Sequence, residues 1–168
     1  SPRAKGNSDI LCDEFIRGAE EAGLQVEKIS LREKEIFPCK ACYACFRTGQ
    51  CVQKDDMAEI LKKAENADVF LFASPTYFLT MSGQMKVMID RLLPRWQDLG
   101  GKEAYVIVTG HDGKKGLERN AEDLVRILEN LGDRVRRVIW GEHVWQKGEV
   151  IGTKAVEEAY LAGKEIGK

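Results

Sequence analysis

Apolar residues Leu11, Phe15, Ile16, Ala19 and Ala22 recur near a 3.6-residue period and predict an amphipathic helix over Ile10–Ala22, with Asn7 or Ser8 as cap and Gly23 as stop. Leu24–Leu31 then alternates, with Leu24, Val26, Ile29 and Leu31 apolar, and predicts a strand with one slip. Phe37–Gln53 has no period and reads as a loop rich in cysteine. Asp55 or Asp56 caps a predicted helix reaching Glu65, a role that suits this acidic pair better than acid/base catalysis. Val69–Ala73 is continuously apolar, the pattern of a parallel strand buried on both faces. A helix over Ser82–Leu93 stopped by Pro94, a buried strand over Glu103–Gly110 and a helix over Leu117–Leu131 ending at Gly132 follow. A last strand over Arg134–Val144 and a last helix over Lys154–Ile166 complete the pattern.

Strands alternating with helices need crossovers, and right-handed crossovers place helices on both faces of a parallel sheet. The expected class is therefore α/β, a doubly wound parallel sheet. The pattern holds four strands and five helices, one strand short, with the deficit before Ser1. No repeat, linker or low-complexity stretch divides the 168 residues, so a single domain over 1–168 is expected, carrying the cysteine-rich loop at 37–53.

Charge narrows the partners. Lys+Arg 26 against Asp+Glu 27 gives a net charge of -1, so no basic excess points to nucleic acid or an anionic membrane. No apolar run approaches the roughly 20 residues of a membrane span, and no signal segment opens the sequence. A cytoplasmic protein acting on small molecules is the expectation.

The opening stretch SPRAKGNS lies just ahead of the first helix, where backbone N–H groups meet anions in doubly wound folds. Ser1, Asn7 and Ser8 offer side-chain donors, Arg3 adds charge, and Gly6 lets backbone approach a ligand. A simple helix cap is the competing reading. Neither G-x-G-x-x-G nor G-x-x-x-x-G-K-[ST] is present, which argues against a Rossmann dinucleotide site and a P-loop.

Cys39, Cys42, Cys45 and Cys51 form C-x2-C-x2-C-x5-C. A triplet spaced by three lets one loop wrap corners of an iron–sulfur cubane, whereas zinc sites use two separated pairs. Zinc, a thiol/disulfide site and cysteines that bind nothing stay open as alternatives. Cys12, at helical spacing with Phe15 and Ile16, reads as a small buried hydrophobe. His143 has no pattern around it, and Trp96, Trp140 and Trp145 read as packing residues before a docking platform.

SPRAKGNS, FPCKACYACFRTGQCVQKDDM, ASPTYF and MKVMIDR, in this order, resemble the NADPH-dependent FMN reductase branch of the flavodoxin-like superfamily, and within it the iron-sulfur flavoproteins of archaea and anaerobic bacteria. The resemblance implies a flavodoxin-like sheet of order 2-1-3-4-5 with FMN at its switch point. It implies that Ser1, Arg3, Asn7 and Ser8 hold the FMN phosphate and that Pro75, Thr76, Tyr77 and Phe78 wrap the flavin. Thr109, Gly110, His111 and Gly113 would lie near the ring, and Cys39, Cys42, Cys45 and Cys51 would carry a [4Fe–4S] cluster. No side chain need act as acid or base, so no catalytic residue is assigned. The implied activity is an FMN-dependent oxidoreductase passing electrons between NAD(P)H or ferredoxin, FMN and the cluster. A plain FMN or quinone reductase without a cluster, and a zinc or thiol sensor on the same fold, are the rivals. A small-molecule acceptor and a homodimer or homotetramer are further expectations. Family members begin with an apolar strand that delivers the phosphate loop; from Ser1 onward the sequence carries none, and a sheet without it would have open edges.

Overall fold

The computed structural model describes residues 1–167. Helix α1 (Asn7–Glu21) starts directly from the opening loop, and Gly23 beyond its end sits at φ 87°, in the left-handed region where a helix stops most easily on glycine. The cysteine loop contains one short helix, α2 (Cys45–Thr48), and leads to α3 (Met57–Asn66). Strand β1 (Val69–Tyr77) turns tightly into β2 (Thr80–Met81), which is followed by α4 (Gly83–Asp90), β3 (Glu103–Thr109), α5 (Lys114–Leu131), β4 (Arg134–Gly141) and α6 (Lys154–Lys164). The sheet order is β2-β1-β3-β4, antiparallel only at the β1–β2 pair.

Strand β3 explains the layering. Ala104, Val106 and Val108 point into a core formed with α3, α4 and α5, while Tyr105 and Ile107 point into a second core with α1 and α6. It is buried on both faces because helices cover both. Strand β4 closes one edge, where exposed Arg134, Arg136 and Arg137 discourage pairing with a further chain. Helices α1 and α6 cross at backbone contact: a Cβ on Gly18 would lie 2.0 Å from the Tyr160 carbonyl oxygen, and one on Gly163 would lie 2.0 Å from that of Phe15.

The α/β doubly wound class stands, with three parallel strands in chain order as the 3-4-5 half of the expected sheet. Leu24–Leu31 corrects the prediction: 24–30 form no strand and Leu31–Glu33 is a 3-10 turn. A strand exists by pairing, and this segment has no strand beside it among the described residues. Between it and β1 runs a slot of about 980 Å³, lined by Cys12, Phe15, Leu24, Ile29, Leu71 and Met88 among others. Along Val69–Pro75 the β1 edge facing away from β3 has no strand partner among the described residues.

Pro94 is a second correction. The helix ends at Asp90, and Pro94 lies in the first turn of a 3-10 segment, Leu93–Asp98, where its missing N–H costs nothing. Strand β1 runs four residues past the predicted Ala73 because β2 pairs back onto its end, Thr76 opposite Met81 and Tyr77 opposite Thr80. Strand β4 stops at Gly141, ahead of the predicted Val144.

Candidate functional site

Loops at the carboxyl ends of the parallel strands meet the N-terminus of α1. The opening loop turns at Lys5, whose φ of 53° lies in the left-handed region, and Gly6 caps α1 without a side-chain bond. Space there is tight, since a Cβ on Gly6 would come within 2.8 Å of Ser1 Oγ. First-turn amides of a helix have no intrahelical acceptor, and the positive end of the helix dipole favours an anion beside them. Near the start of α1, Ser8 Oγ, on a residue that also lines the slot, and Arg3 Nε are buried and have no hydrogen-bond partner among the described residues. A buried polar group without a partner is costly, so each is a donor available to a bound group.

The loop after β4 locks this cradle. Arg3 Nη1 donates to the Trp145 carbonyl at 3.0 Å, Asn7 Nδ2 donates to the Gln146 carbonyl at 2.8 Å, and Asn7 Oδ1 accepts from the Val150 amide at 3.3 Å. Asn7 therefore fixes loop to loop. Glu149 accepts from the backbone N–H groups of Trp145 and Gln146, which hold its carboxyl below the ordinary range, with the nearby His111 and Arg3 acting in the same direction. Sequence reading missed this loop, whose polar and aromatic residues carry no periodic signal.

The end of β3 joins the same region. Val144 N–H donates to the Gly110 carbonyl at 2.9 Å, and His143 N–H donates to the Asp112 carbonyl at 3.2 Å. The His111 ring meets Trp145 edge-on, 5.8 Å between centroids, so this histidine is exposed at the rim. His143 lies against Gly113, at whose Cβ position its ring would be 3.2 Å away. Gly110 packs beside Thr76 and Leu117, so β1 and β3 deliver Thr76, Thr109 and Gly110 to one place. Asn120 Nδ2 donates to Thr76 Oγ1 at 2.9 Å, while its buried Oδ1 has no partner. Asn120 also escaped the sequence reading, although a polar residue on the apolar stripe of Leu117, Ala121, Leu124 and Leu128 is a visible signal.

Pro75 is buried, Thr76 half-buried and Tyr77 exposed. Phe78 and Leu79 form the β1–β2 turn with φ of 47° and 74°, a conformation that bulky residues rarely adopt, and the Phe78 side chain is 101% exposed. Two consecutive residues held in this region store backbone strain.

The cysteines occupy a different flank. Cys39, Cys42, Cys45 and Cys51 are free thiols that rim one hollow of about 20 Å³, together with Arg91, Leu93 and Pro94. Among the described residues no three His, Cys, Asp or Glu side chains gather at the spacing of a single ion. The donor set suits an iron–sulfur cluster: four soft ligands with a cation beside them. The hollow itself is water-sized, so a cluster would belong at the rim, where Cys39 and Cys42 are exposed. Left-handed Ala41, at φ 49°, turns its amide back onto Cys39 Sγ at 3.5 Å, an N–H···S contact of the sort that tunes such clusters. Cys12 stands apart, half-buried on the wall of the slot, and burial pushes its thiol up to about 12. Trp96 is exposed, and Lys114 Nζ sits 4.9 Å from the Trp140 ring.

A mostly parallel sheet with helices on both faces, and a helix N-terminus at the carboxyl ends of its strands, defines an α/β domain of flavodoxin-like architecture. Residues 1–147 match the model of the NADPH-dependent FMN reductase family, and the chain belongs to that family. A protein named iron-sulfur flavoprotein from Archaeoglobus fulgidus is 42% identical over 94 residues, 56% of this chain and 43% of that protein. Another so named, from Methanocaldococcus jannaschii, is 29% identical over 168 residues, 94% of this chain and 83% of that protein. The chain spans about half the length of four curated relatives it matches. The fold is shared with an NAD(P)H:quinone oxidoreductase from Methanothermobacter marburgensis, TM-score 0.75 at 20% identity, covering 100% of this chain and 92% of that one. No helix among the described residues is long and apolar enough to cross a membrane.

Proposed function

We propose that the protein is an FMN-dependent oxidoreductase that takes electrons from NAD(P)H or a ferredoxin-like donor and carries a [4Fe–4S] cluster on Cys39, Cys42, Cys45 and Cys51. The observation that carries the flavin half is the pair of buried donors without partners, Ser8 Oγ and Arg3 Nε, at the N-terminus of α1. A phosphate monoester supplies the acceptors they lack. Ser1, Arg3, Asn7 and Ser8 shape that end of the site, and Thr76, Tyr77, Phe78, Thr109, Gly110, His111 and Gly113 border the other. Bound there, FMN would supply hydride and single-electron chemistry, and the cluster single-electron transfer. The chain's own residues orient and enclose; none stands placed as an acid or base. The exposed Phe78, Leu79, Tyr43, Phe46 and Val52 support assembly as a homo-oligomer, with a soluble electron carrier or small acceptor completing the cycle.

Anaerobically purified protein tests the reading through its visible spectrum, with FMN, iron, sulfide and zinc quantified on one sample. Flavin bands with about four irons per FMN are expected. Flavin without iron leaves a plain FMN reductase, and zinc without flavin leaves a sensor. Arg3→Ala should weaken FMN binding by roughly 10- to 100-fold, the worth of a charge-assisted hydrogen bond, and riboflavin binding far less. Equal losses for both ligands would remove the phosphate assignment.

A further inference from the structure

Arg91, at the C-terminal end of α4, is among the most buried large side chains of the described residues, 1% exposed, and the side chain of its partner Asp55 is 0% exposed. Arg91 Nη1 donates to Asp55 Oδ2 at 2.6 Å and to the Phe37 carbonyl at 2.5 Å, and Nη2 donates to Asp55 Oδ1 at 3.0 Å. Asp55 in turn accepts from the Phe37 amide at 3.0 Å and the Met57 amide at 3.2 Å. Phe37 and Asp55 are the two feet of the cysteine loop. One guanidinium thus ties both, and Gln53 Nε2 on the Pro38 carbonyl and the Glu35–Asp56 backbone pairing reinforce the closure.

The fork is not fully used. Arg91 Nε is buried without a partner among the described residues, on a side chain that lines the same hollow as the four cysteines. Burial opposes the guanidinium's charge, and Asp55 more than restores it. Cys51 lines that same hollow beside Arg91. A hydrogen bond to a ligand sulfur and a nearby positive charge both stabilise the reduced, more negative state of an iron–sulfur cluster.

We propose that Arg91 is the positioning residue of the cysteine site: it clasps both feet of the loop through Asp55 and Phe37 and holds its remaining N–H for sulfur at Cys51. The inference rests on the cluster reading above for its sulfur half, whereas the clasp stands on the hydrogen bonds alone. Helix α4 makes the arrangement a strut. Its eight residues rise about 12 Å from Ser82, whose amide is held by Ser74 Oγ beneath the flavin-facing hairpin, to Arg91 at the cysteines.

The test compares wild type, Arg91→Lys and Arg91→Met after anaerobic reconstitution with iron and sulfide, reading cluster midpoint potential and retention of iron on gel filtration. Lysine keeps the charge but not the fork. Arg91→Lys is expected to bind a cluster at a lower potential than wild type, and Arg91→Met to hold iron 10- to 100-fold less tightly. Potentials equal to wild type in every variant that retains iron would overturn the sulfur role. Should Arg91→Met fail to fold, shown by loss of its cooperative melt, Arg91→Lys decides alone. Amide hydrogen exchange on the metal-free proteins separates the two readings. Exchange at Phe37 and Met57 should rise at least 10-fold in Arg91→Lys while β3 is unchanged; unaltered exchange there would overturn the clasp. Wild type that takes up no iron would overturn the cluster and, with it, the sulfur half, leaving exchange to decide the clasp.

Discussion

The turn joining β1 to β2 is the place where the chain departs most from what its sequence prefers. Tyr77 and Thr80 pair directly, so Phe78 and Leu79 form a two-residue connection with both φ positive, the type I′ geometry that favours Asn-Gly. Each bulky residue held left-handed costs about 1–2 kcal/mol. Phe78 recovers none of this by packing, being 101% exposed, and the turn is held from below by Thr80 Oγ1 donating to Asp123 at 2.6 Å. Replacing the pair by Phe78→Asn with Leu79→Gly relieves most of the strain. The glycine adds about 0.5–1 kcal/mol of unfolded-state entropy. The net gain should be about 2 kcal/mol, a rise in Tm of roughly 4–8 °C for a chain of this size, read by circular dichroism on flavin-free protein. FMN affinity, read by quenching of flavin fluorescence, should fall in the same variant if, as proposed, Phe78 borders the flavin. A Tm unchanged or lowered would refute the strain argument, and undiminished FMN affinity would refute its functional reading.

Gly18→Ala would place a methyl 2.0 Å from the Tyr160 carbonyl, against 3.4 Å for an ordinary contact, so α1 and α6 must separate. Overpacking of this kind costs about 1–3 kcal/mol, and the melting temperature should drop by several degrees; a variant as stable as wild type would show that the helices do not cross so closely. Asp55 sets an acid limit. Burial alone would raise its carboxyl, but Arg91 and the Phe37 and Met57 amides outweigh burial and hold it below its ordinary value. Its stabilisation is therefore present above about pH 4, where the unfolded group is ionised, and is lost as pH falls through the lower folded value. Wild type should exceed Asp55→Asn by about 3 kcal/mol at pH 7, with the difference shrinking below pH 4; urea midpoints at several pH values that differ by a constant amount would contradict it.

What the sequence reveals and what it hides follow one physical division. Periodicity reports which face of an element is apolar, and so the helices over Asn7–Glu21 and Lys114–Leu131 and the buried strand Glu103–Thr109 are legible within a few residues. Pairing is not local, and the alternating run Leu24–Leu31 shows the consequence: the pattern of a strand is present, but among the described residues no neighbour offers it a hydrogen-bond ladder. The same division runs through the site. Arg3, Ser8 and the four cysteines announce themselves because their chemistry is packed into short stretches. Arg91 and Asn120 look like ordinary helix residues, one charged and one polar, until the fold buries them. Burial without full hydrogen bonding turns an unremarkable side chain into a candidate for function, and it arises only when elements far apart in sequence close over it. For Arg91 those elements are the two feet of the cysteine loop, 36 positions from Asp55 and 54 from Phe37, a relation that no spacing rule along the chain could express.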